Sequence, residues 1–299
     1  MIKKKIIVFS NIERDPGFIM AQRVCDMLRE KGRETRLCPM IYEDEPFDVT
    51  TLGFETSVLE DELPCSELVI TIGGDGTILR AARSAAVLGI PVLGINMGNK
   101  GFMAELEEND ISLIDQVADG NYKIEHRMML DTEVNRNDEI IYKDFALNDI
   151  VIKGDNKVID ISLFGDGQQI MQFSGDGAVV ATPTGSTAYS MAAGGPIVEP
   201  STHNIIVTPI CAHVLEAKSI VLASDRHVTV EIGYIKHNPA YMSVDGGQHI
   251  SILSGDIVNI SQSKMITKLV RITDRSFYQK VNEKLVTEPE RIPRHIMRR

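Results

Sequence analysis

The apolar pattern of this 299-residue chain changes its period part-way along, and that change limits the architecture more than any other feature. Up to about Ile124, short apolar runs alternate with segments whose apolar residues recur every three or four positions. Ile6–Phe9 reads as a strand. Asp15-Pro16 then caps a helix carrying Phe18, Ala21, Cys25 and Leu28, which Gly32 ends. Leu68–Ile72 is a second strand, followed by a helix with Ile78, Ala81, Ala82, Ala85 and Ala86 on one face and Gly89 at its end. Pro91–Ile95 is a third. Asn109 or Asp110 caps a further helix bearing Ile111, Ile114 and Val117, closed by Gly120. Alternating strands and helices imply a parallel sheet covered on both faces. Beyond Ile124 the period shortens to two. Turn signals then recur at Asp155-Asn156, Gly165-Asp166-Gly167, Asp245-Gly246-Gly247 and Ser254-Gly255-Asp256, as in an antiparallel β domain. One helical piece interrupts it near 186–193. After Thr273 an amphipathic helix places Phe277, Val281 and Leu285 on one face. At roughly 150 residues per domain, the length suits about two domains.

The net charge of −11 and pI near 5.2 argue against a nucleic-acid partner, which would want a basic footprint. No apolar run approaches the roughly 18 residues of a membrane span. The opening MIKKKIIVFSN has too short an apolar stretch for a signal peptide. Cys25, Cys38, Cys65 and Cys211 form no CxxC pair and read as buried thiols in a reducing compartment, which points to the cytoplasm.

The informative turn is Thr71-Ile72-Gly73-Gly74-Asp75-Gly76-Thr77. It lies between a strand and a helix, at the carboxyl edge of a parallel sheet where ligands usually bind. Three glycines remove the Cβ atoms that would keep a ligand off the backbone, and the N–H groups and helix start then favour an anion. Asp75 is the sharper clue. A carboxylate there repels phosphate unless it meets a metal ion or takes a proton. That suits phosphoryl transfer, where Mg²⁺ neutralises the donor and a carboxylate orients or deprotonates an acceptor hydroxyl. No Lys follows the glycines, so this is not the GxxxxGK[ST] loop. No GxGxxG follows the first strand, so a dehydrogenase-type dinucleotide domain is not indicated.

A second dense stretch runs from Ser174-Gly175-Asp176-Gly177 through Ala178–Ala181 to Thr182-Pro183-Thr184-Gly185-Ser186-Thr187-Ala188-Tyr189, ending in Ala193-Gly194-Gly195-Pro196. It reads as a turn, a strand and a hydroxyl-rich loop entering a short helix: either a nucleoside pocket or an ordinary cap. Between the two stretches, Asn148-Asp149 interrupts an apolar run, as an exposed strand end or as a placed ligand contact.

Taken together, these segments resemble the NAD kinase family. The resemblance runs from Gly73-Gly74-Asp75-Gly76-Thr77 through Gly94-Ile95-Asn96, Gly98, Gly101 and Phe102, Arg127 and Leu130, and Asn148-Asp149. It continues from Asp176 to Pro196, then to Pro209 with His213 and Asp245-Gly246. It implies a Rossmann-like, three-layer α/β domain over 1–124, completed by 274–299, and an all-β, sandwich-like NAD-binding domain over 125–273. It implies phosphorylation of the 2′-hydroxyl of the adenosine ribose of NAD, using ATP and a divalent metal (Mg²⁺ or Mn²⁺), to give NADP. By the same resemblance Asp75 is the catalytic aspartate, and Gly74, Gly76 and Thr77 form the phosphate turn. Asn148 and Asp149 contact NAD, and Asp176 belongs on its nicotinamide side. Ser186, Thr187, Ala188, Tyr189 and Ala192 line adenine and ribose, with Phe102 beside the nucleotide. Gln248 falls in the family's Asp-Gly-Gln. No protein metal ligand set is implied. Family members are homodimers or homotetramers, with the site near a subunit interface.

Three positions depart from the family pattern. Lys100 stands where a small or apolar residue is usual, Ala192 where many members have serine, and an extra glycine separates Asp245-Gly246 from Gln248. Gly165-Asp166-Gly167 reads as a hairpin turn. His213 reads as structural, and His203, His237 and His249 lack the spacing of a zinc site. Two other functions compete. A lipid kinase of the diacylglycerol type shares the glycine turn but follows it with Asn-Glu, where this chain has Ile78-Leu79-Arg80. A nucleotide sensor would keep the pocket but could drop Asp75.

Overall fold

The computed structural model describes residues 4–41, 54–98, 101–213, 217–233 and 240–285. Four parallel strands open the chain: β1 (Lys5–Asn11), β2 (Thr35–Met40), β3 (Ser66–Gly73) and β4 (Val92–Asn96), in the spatial order β4-β3-β1-β2. A short β5 (Leu106–Glu107) extends from β4. The strands are apolar almost without interruption because helices cover both faces. On one side, α1 (Ile19–Glu30) brings Val24 and Leu28 against Ile6, Val8 and Ile70. On the other, α2 (Leu59–Glu62) and α3 (Asp75–Val87) bring Leu59, Ile78, Ala81 and Ala85 against Ile7, Phe9 and Val69. A last helix of this part, α4 (Ile114–Ala118), joins the first side through Ile114 and Val117.

The start signals act as the sequence suggests, with one shift. The Asp15 carboxylate accepts the N–H groups of Met20 and Ala21, both at 2.9 Å, across a 3₁₀ turn at Pro16–Phe18. The stretch before α4 is capped two residues ahead of Asn109. Glu107 caps it, in a reciprocal box with Asp110, and a 3₁₀ segment (Glu108–Leu113) precedes the α-helix. Gly32, Gly89 and Gly120 each take the positive φ that ends a helix.

The rest is β-rich, as the two-residue period implies. The strands are β6 (Lys123–Arg136), β7 (Glu139–Ala146), β8 (Asp149–Gly154), β9 (Ile159–Gly165), β10 (Gln168–Gly175), β11 (Gly177–Ala181), β12 (Asn204–Ile210), β13 (Ile220–Ala223), β14 (Val228–Ile232), β15 (Ala240–Val244), β16 (Ile250–Ile252) and β17 (Ile257–Arg271). One sheet has the order β13-β12-β11-β8-β15-β16. It packs through Ile150, Ile152, Ala178, Val180, Ile205 and Met242 on Leu130, Ile161, Leu163, Val230 and Ile260 of the facing strands. Gly165-Asp166-Gly167 is the β9–β10 hairpin turn, with Asp166 and Gly167 both at positive φ.

The two parts share a sheet. β17 pairs antiparallel with β6 and β14, and at Leu269 it also meets Val92 of β4 in parallel. Fifteen residues of strand reach about 50 Å, enough to serve both parts. The parallel strands and the larger antiparallel set therefore form one 11-stranded sheet. Such pairing between distant segments leaves no mark on local periodicity.

A short α5 (Tyr189–Ala192) follows a 3₁₀ turn at Gly185–Thr187, and α6 (Phe277–Leu285) ends the described chain. No residue of α6 is fully buried. It is fastened by polar groups: Lys280 Nζ donates to the Ala104 carbonyl at 2.6 Å, and Lys284 Nζ sits 4.2 Å from the centroid of the Phe102 ring. All four cysteines are free. Cys25 and Cys38 are buried as expected, whereas Cys65 and Cys211 are exposed. Among the described residues no helix is long and apolar enough to cross a membrane.

Candidate active site

β3 ends at Gly73, Gly74 is the extended residue before the helix, and Asp75 opens α3. A Cβ built on Gly74 or Gly76 meets nothing within 4 Å, so the turn faces open space on the side a ligand would approach. Thr77 faces the other way. It is buried, and its Oγ1 accepts from Asn11 Nδ2 at 3.4 Å. The Asp75 carboxylate is held by the backbone of the following loop: Phe102 N–H donates to Oδ2 at 2.8 Å and Met103 N–H to Oδ1 at 3.1 Å. Gly101 makes this possible, since a Cβ there would stand 2.6 Å from Asp75 Cγ. Lys100 lies outside the described residues.

The second cluster gathers where β8 begins. Thr182 Oγ1 donates to the Leu147 carbonyl at 2.6 Å, and Thr182 N–H to the Asn148 carbonyl at 2.9 Å. Gly185 then packs on the Asn148 backbone. These contacts set Ala188 and Tyr189 across from Asn148 and Asp149 in a cavity of about 420 Å³. Its floor is a two-strand face on which Lys153 pairs with Tyr241 and Val151 with Ser243. His249 stacks on Tyr241, ring centroids 4.0 Å apart. Asn148 Oδ1 is buried without a hydrogen-bond partner.

The remaining candidates are placed differently. Ser186 is fully buried, and its hydroxyl is used inside the loop, donating to the Pro183 carbonyl at 2.7 Å and accepting Val198 N–H at 3.0 Å. Thr187 Oγ1 donates to the Thr184 carbonyl at 3.1 Å. Ala192 and Gln248 are exposed and do not line the cavity. Phe102 is buried beside a separate small cleft with Arg127 and Lys280. Asp176 accepts the Gly154 N–H at its carbonyl, which places it at the far end of β8, about 16 Å of strand from Asp149. On α3, Arg83 is engaged by Asp144, Asp245 and the Val244 carbonyl. Arg80 borders a different cavity with Phe9 and Met40.

Burial and charge tune the cluster. Burial, and secondly the charge of Asp245, push the Asp149 carboxyl up to about 7, against a hydrogen bond from Tyr189 N–H. Burial raises Asp245 as well. Yet Asp245 accepts three backbone N–H groups and faces Arg83, so it stays ionised and the proton sits on Asp149. Near Asp75, burial pushes the Arg127 guanidinium down to about 10, with Glu125 the largest opposing charge. The folded chain thus keeps a proton on Asp149 that an unfolded carboxylate, with a pKa of about 3.9, gives up. Its contribution to stability falls as pH rises through the window between about 4 and 7. Asp149→Asn is therefore expected to gain on the parent as pH rises. In paired melts at pH 5 and pH 8, the stability difference should shift toward the variant by more than about 1 kcal/mol at the higher pH. An equal difference at both pH values would remove the assignment.

Among the described residues, no three His, Cys, Asp or Glu side chains form a metal cage. A lone carboxylate beside an open phosphate turn nevertheless fits Mg²⁺, which is commonly held by one or two carboxylates and a substrate's phosphates.

Residues 7–122 match the model for the ATP-NAD kinase N-terminal domain, and residues 147–272 match that for the ATP-NAD kinase C-terminal domain. The chain is 43% identical over 289 residues to an NAD kinase of Natranaerobius thermophilus, covering 94% of this chain and 98% of that one. It is 34% identical over 290 residues to an NAD kinase of Ruminiclostridium cellulolyticum, covering 96% and 99%. Its structure is similar to that of yeast NADH kinase complexed with NADH, with a TM-score of 0.80 and 25% identity over 97% of this chain and 90% of that one. An NAD kinase from Archaeoglobus fulgidus in complex with ATP shares the fold at a TM-score of 0.68 and 23% identity, covering 93% and 97%.

Proposed function

This chain belongs to the NAD kinase family, and on that premise we propose that it transfers the γ-phosphoryl group of ATP to the 2′-hydroxyl of the adenosine ribose of NAD, giving NADP and ADP. The observation that carries the reading is Asp75 at an open glycine turn, with its carboxylate aimed by two backbone amides. In this mechanism Asp75 accepts the proton of the 2′-hydroxyl as the new O–P bond forms and the bond to the leaving ADP breaks. The 102–103 amides orient the carboxylate, and Gly74 and Gly76 let the donor phosphates approach the backbone. Asp75 and the donor phosphates would hold the divalent ion (Mg²⁺ or Mn²⁺), which would supply neutralisation of the phosphate charge. Asn148 and Asp149 bind the hydroxyls of NAD from one side of the cavity. Ala188 and Tyr189 wall the same cavity.

Asp176 stands beyond the end of that cavity, so we assign its contact with NAD to a homodimer or homotetramer in which a second copy adjoins the site. The 1–124, 125–273 and 274–299 division is read as the donor-turn domain, the NAD-binding domain and the returning helix, in a cytoplasmic enzyme. Incubation with ATP, Mg²⁺ and either NAD or NADH, with NADP(H) followed by a coupled assay and the particle mass by light scattering, tests this reading. Product from NAD is expected. NADP(H) at the blank with both acceptors would sink the kinase reading in favour of a sensor or lipid kinase, and a one-chain mass would sink the assembly.

A further inference from the structure

Asp245 has no part in the chemistry above, yet it is among the most heavily bonded groups in the molecule. It follows β15 at φ +50°, with Gly246 at +69°, and its side chain is 1% exposed. Oδ1 accepts the N–H groups of Asn148 at 2.7 Å and Asp149 at 3.0 Å, and Oδ2 accepts that of Leu147 at 2.8 Å. Its own N–H donates to the Asp149 carbonyl at 2.9 Å. Three consecutive amides, at the entry to β8, thus close on one carboxylate.

A charge so buried needs a partner. The partner comes from neither β8 nor β15 but from α3. Arg83 Nη1 lies 3.5 Å from Asp245 Oδ2 and donates to the Val244 carbonyl at 3.2 Å, while Nη2 donates to Asp144 Oδ1 at 2.8 Å. Its guanidinium lies 5.3 Å from the centroid of the Phe145 ring. Tyr142 Oη donates to the second Asp144 oxygen at 2.8 Å, fixing that carboxylate in turn. Arg83 is on the helix that Asp75 opens, about 12 Å further along its axis. One rigid helix therefore carries Asp75 at its start and, two turns on, grips the carboxylate that holds Asn148 and Asp149.

We propose that Asp245 and Arg83 are positioning residues: their link sets the Asn148–Asp149 pair at a fixed place relative to Asp75 on the same helix. The proposal rests on the kinase reading and deepens it, since it identifies what registers the acceptor against the base. Turn closure alone would not require a charge, nor a cation from the helix of the phosphate turn. Placement errors of about 1 Å can cost on the order of a hundredfold in rate, so such a link has functional weight. The charge of Asp245 adds to the burial that favours the protonated form of Asp149. The other charged or titratable groups on that cavity are Lys153 of β8 and His249, with Tyr189 and Tyr241 on its walls.

The test is calorimetric NAD binding without donor, together with steady-state kinetics, on the parent, Asp245→Asn, Arg83→Gln and Arg83→Lys. The first two variants should raise the NAD dissociation constant and KM by about tenfold or more, with the ATP KM within about twofold. Arg83→Lys should recover part of the loss, because an ammonium replaces the charge but not the forked geometry. In Asp245→Asn the pH midpoint for NAD binding should move down, since the neighbouring negative charge is gone. A scaffold defect alone would lower kcat and leave both KM values and the midpoint unchanged. The proposal is overturned if NAD binding in Arg83→Gln stays within about twofold of the parent, or if the NAD and ATP KM values rise together. Should Asp245→Asn fail to fold, Arg83→Gln alone decides. An inactive parent that binds NAD sinks the kinase reading only; an active parent with unchanged variants sinks the positioning only.

Discussion

Asp75→Asn is expected to lower NADP formation by about a thousandfold while NAD binds within about threefold of the parent. The acceptor cavity is lined by Asn148, Asp149, Tyr189 and Tyr241, and Asp75 is not part of that lining. What the substitution removes is the proposed proton acceptor. General-base catalysis contributes on the order of a hundred- to ten-thousandfold. The amide also disturbs the loop. Asparagine offers one carbonyl oxygen where the carboxylate offers two, so its NH₂ must face either Phe102 N–H or Met103 N–H. A modest rise in the ATP KM follows if that loop shifts. Single-turnover assays with excess enzyme separate the cases: the chemical step should be slow at saturating NAD and ATP. Turnover within tenfold of the parent would mean that Asp75 is not the base.

Much of the frame around Asp75 could be read from sequence, because each signal is local. The glycine turn, the apolar stripe of α3 and the Asp-Gly hairpin turns are written in consecutive residues, and the described structure has them where the chain places them. The floor of the acceptor cavity was not legible. Val151 and Lys153 look like ordinary alternating strand positions until β15 pairs beside them and sets Ser243 and Tyr241 opposite. Asp245-Gly246-Gly247 reads as a turn and is one, yet its carboxylate serves residues nearly a hundred positions earlier. Only a charged residue at the first position of a turn, with no local use for the charge, gives a hint. The hydroxyls of the 182–187 segment mislead in the opposite direction. The sequence presents a row of donors, and folding spends those of Thr182, Ser186 and Thr187 on the loop's own backbone or on Leu147. Their role is to shape the loop that carries Tyr189.

That shaping makes Gly185→Ala the most damaging small substitution in the acceptor wall. A Cβ at 185 would overlap the Asn148 carbonyl and stand 2.8 Å from Asn148 Cα. These are backbone atoms, so no side chain can swing aside. Nor can the strand entry yield, since Asp245 holds the amides of Leu147, Asn148 and Asp149 on one side and Thr182 holds the Leu147 and Asn148 carbonyls on the other. The 183–187 loop must move instead, and it takes Ala188 and Tyr189 with it. Overpacking of this kind costs about 1–3 kcal/mol of stability. The displaced wall should also weaken NAD binding by about tenfold, with the ATP KM unchanged because the glycine turn lies on another element. Gly76→Ala is the control: its Cβ meets nothing, so it should melt with the parent. Thermal melts and NAD calorimetry on the two variants read both effects. A Gly185→Ala protein that melts with the parent and binds NAD as tightly would show that the loop does not depend on this close approach, and that the hydroxyl-rich segment shapes the wall by some other contact.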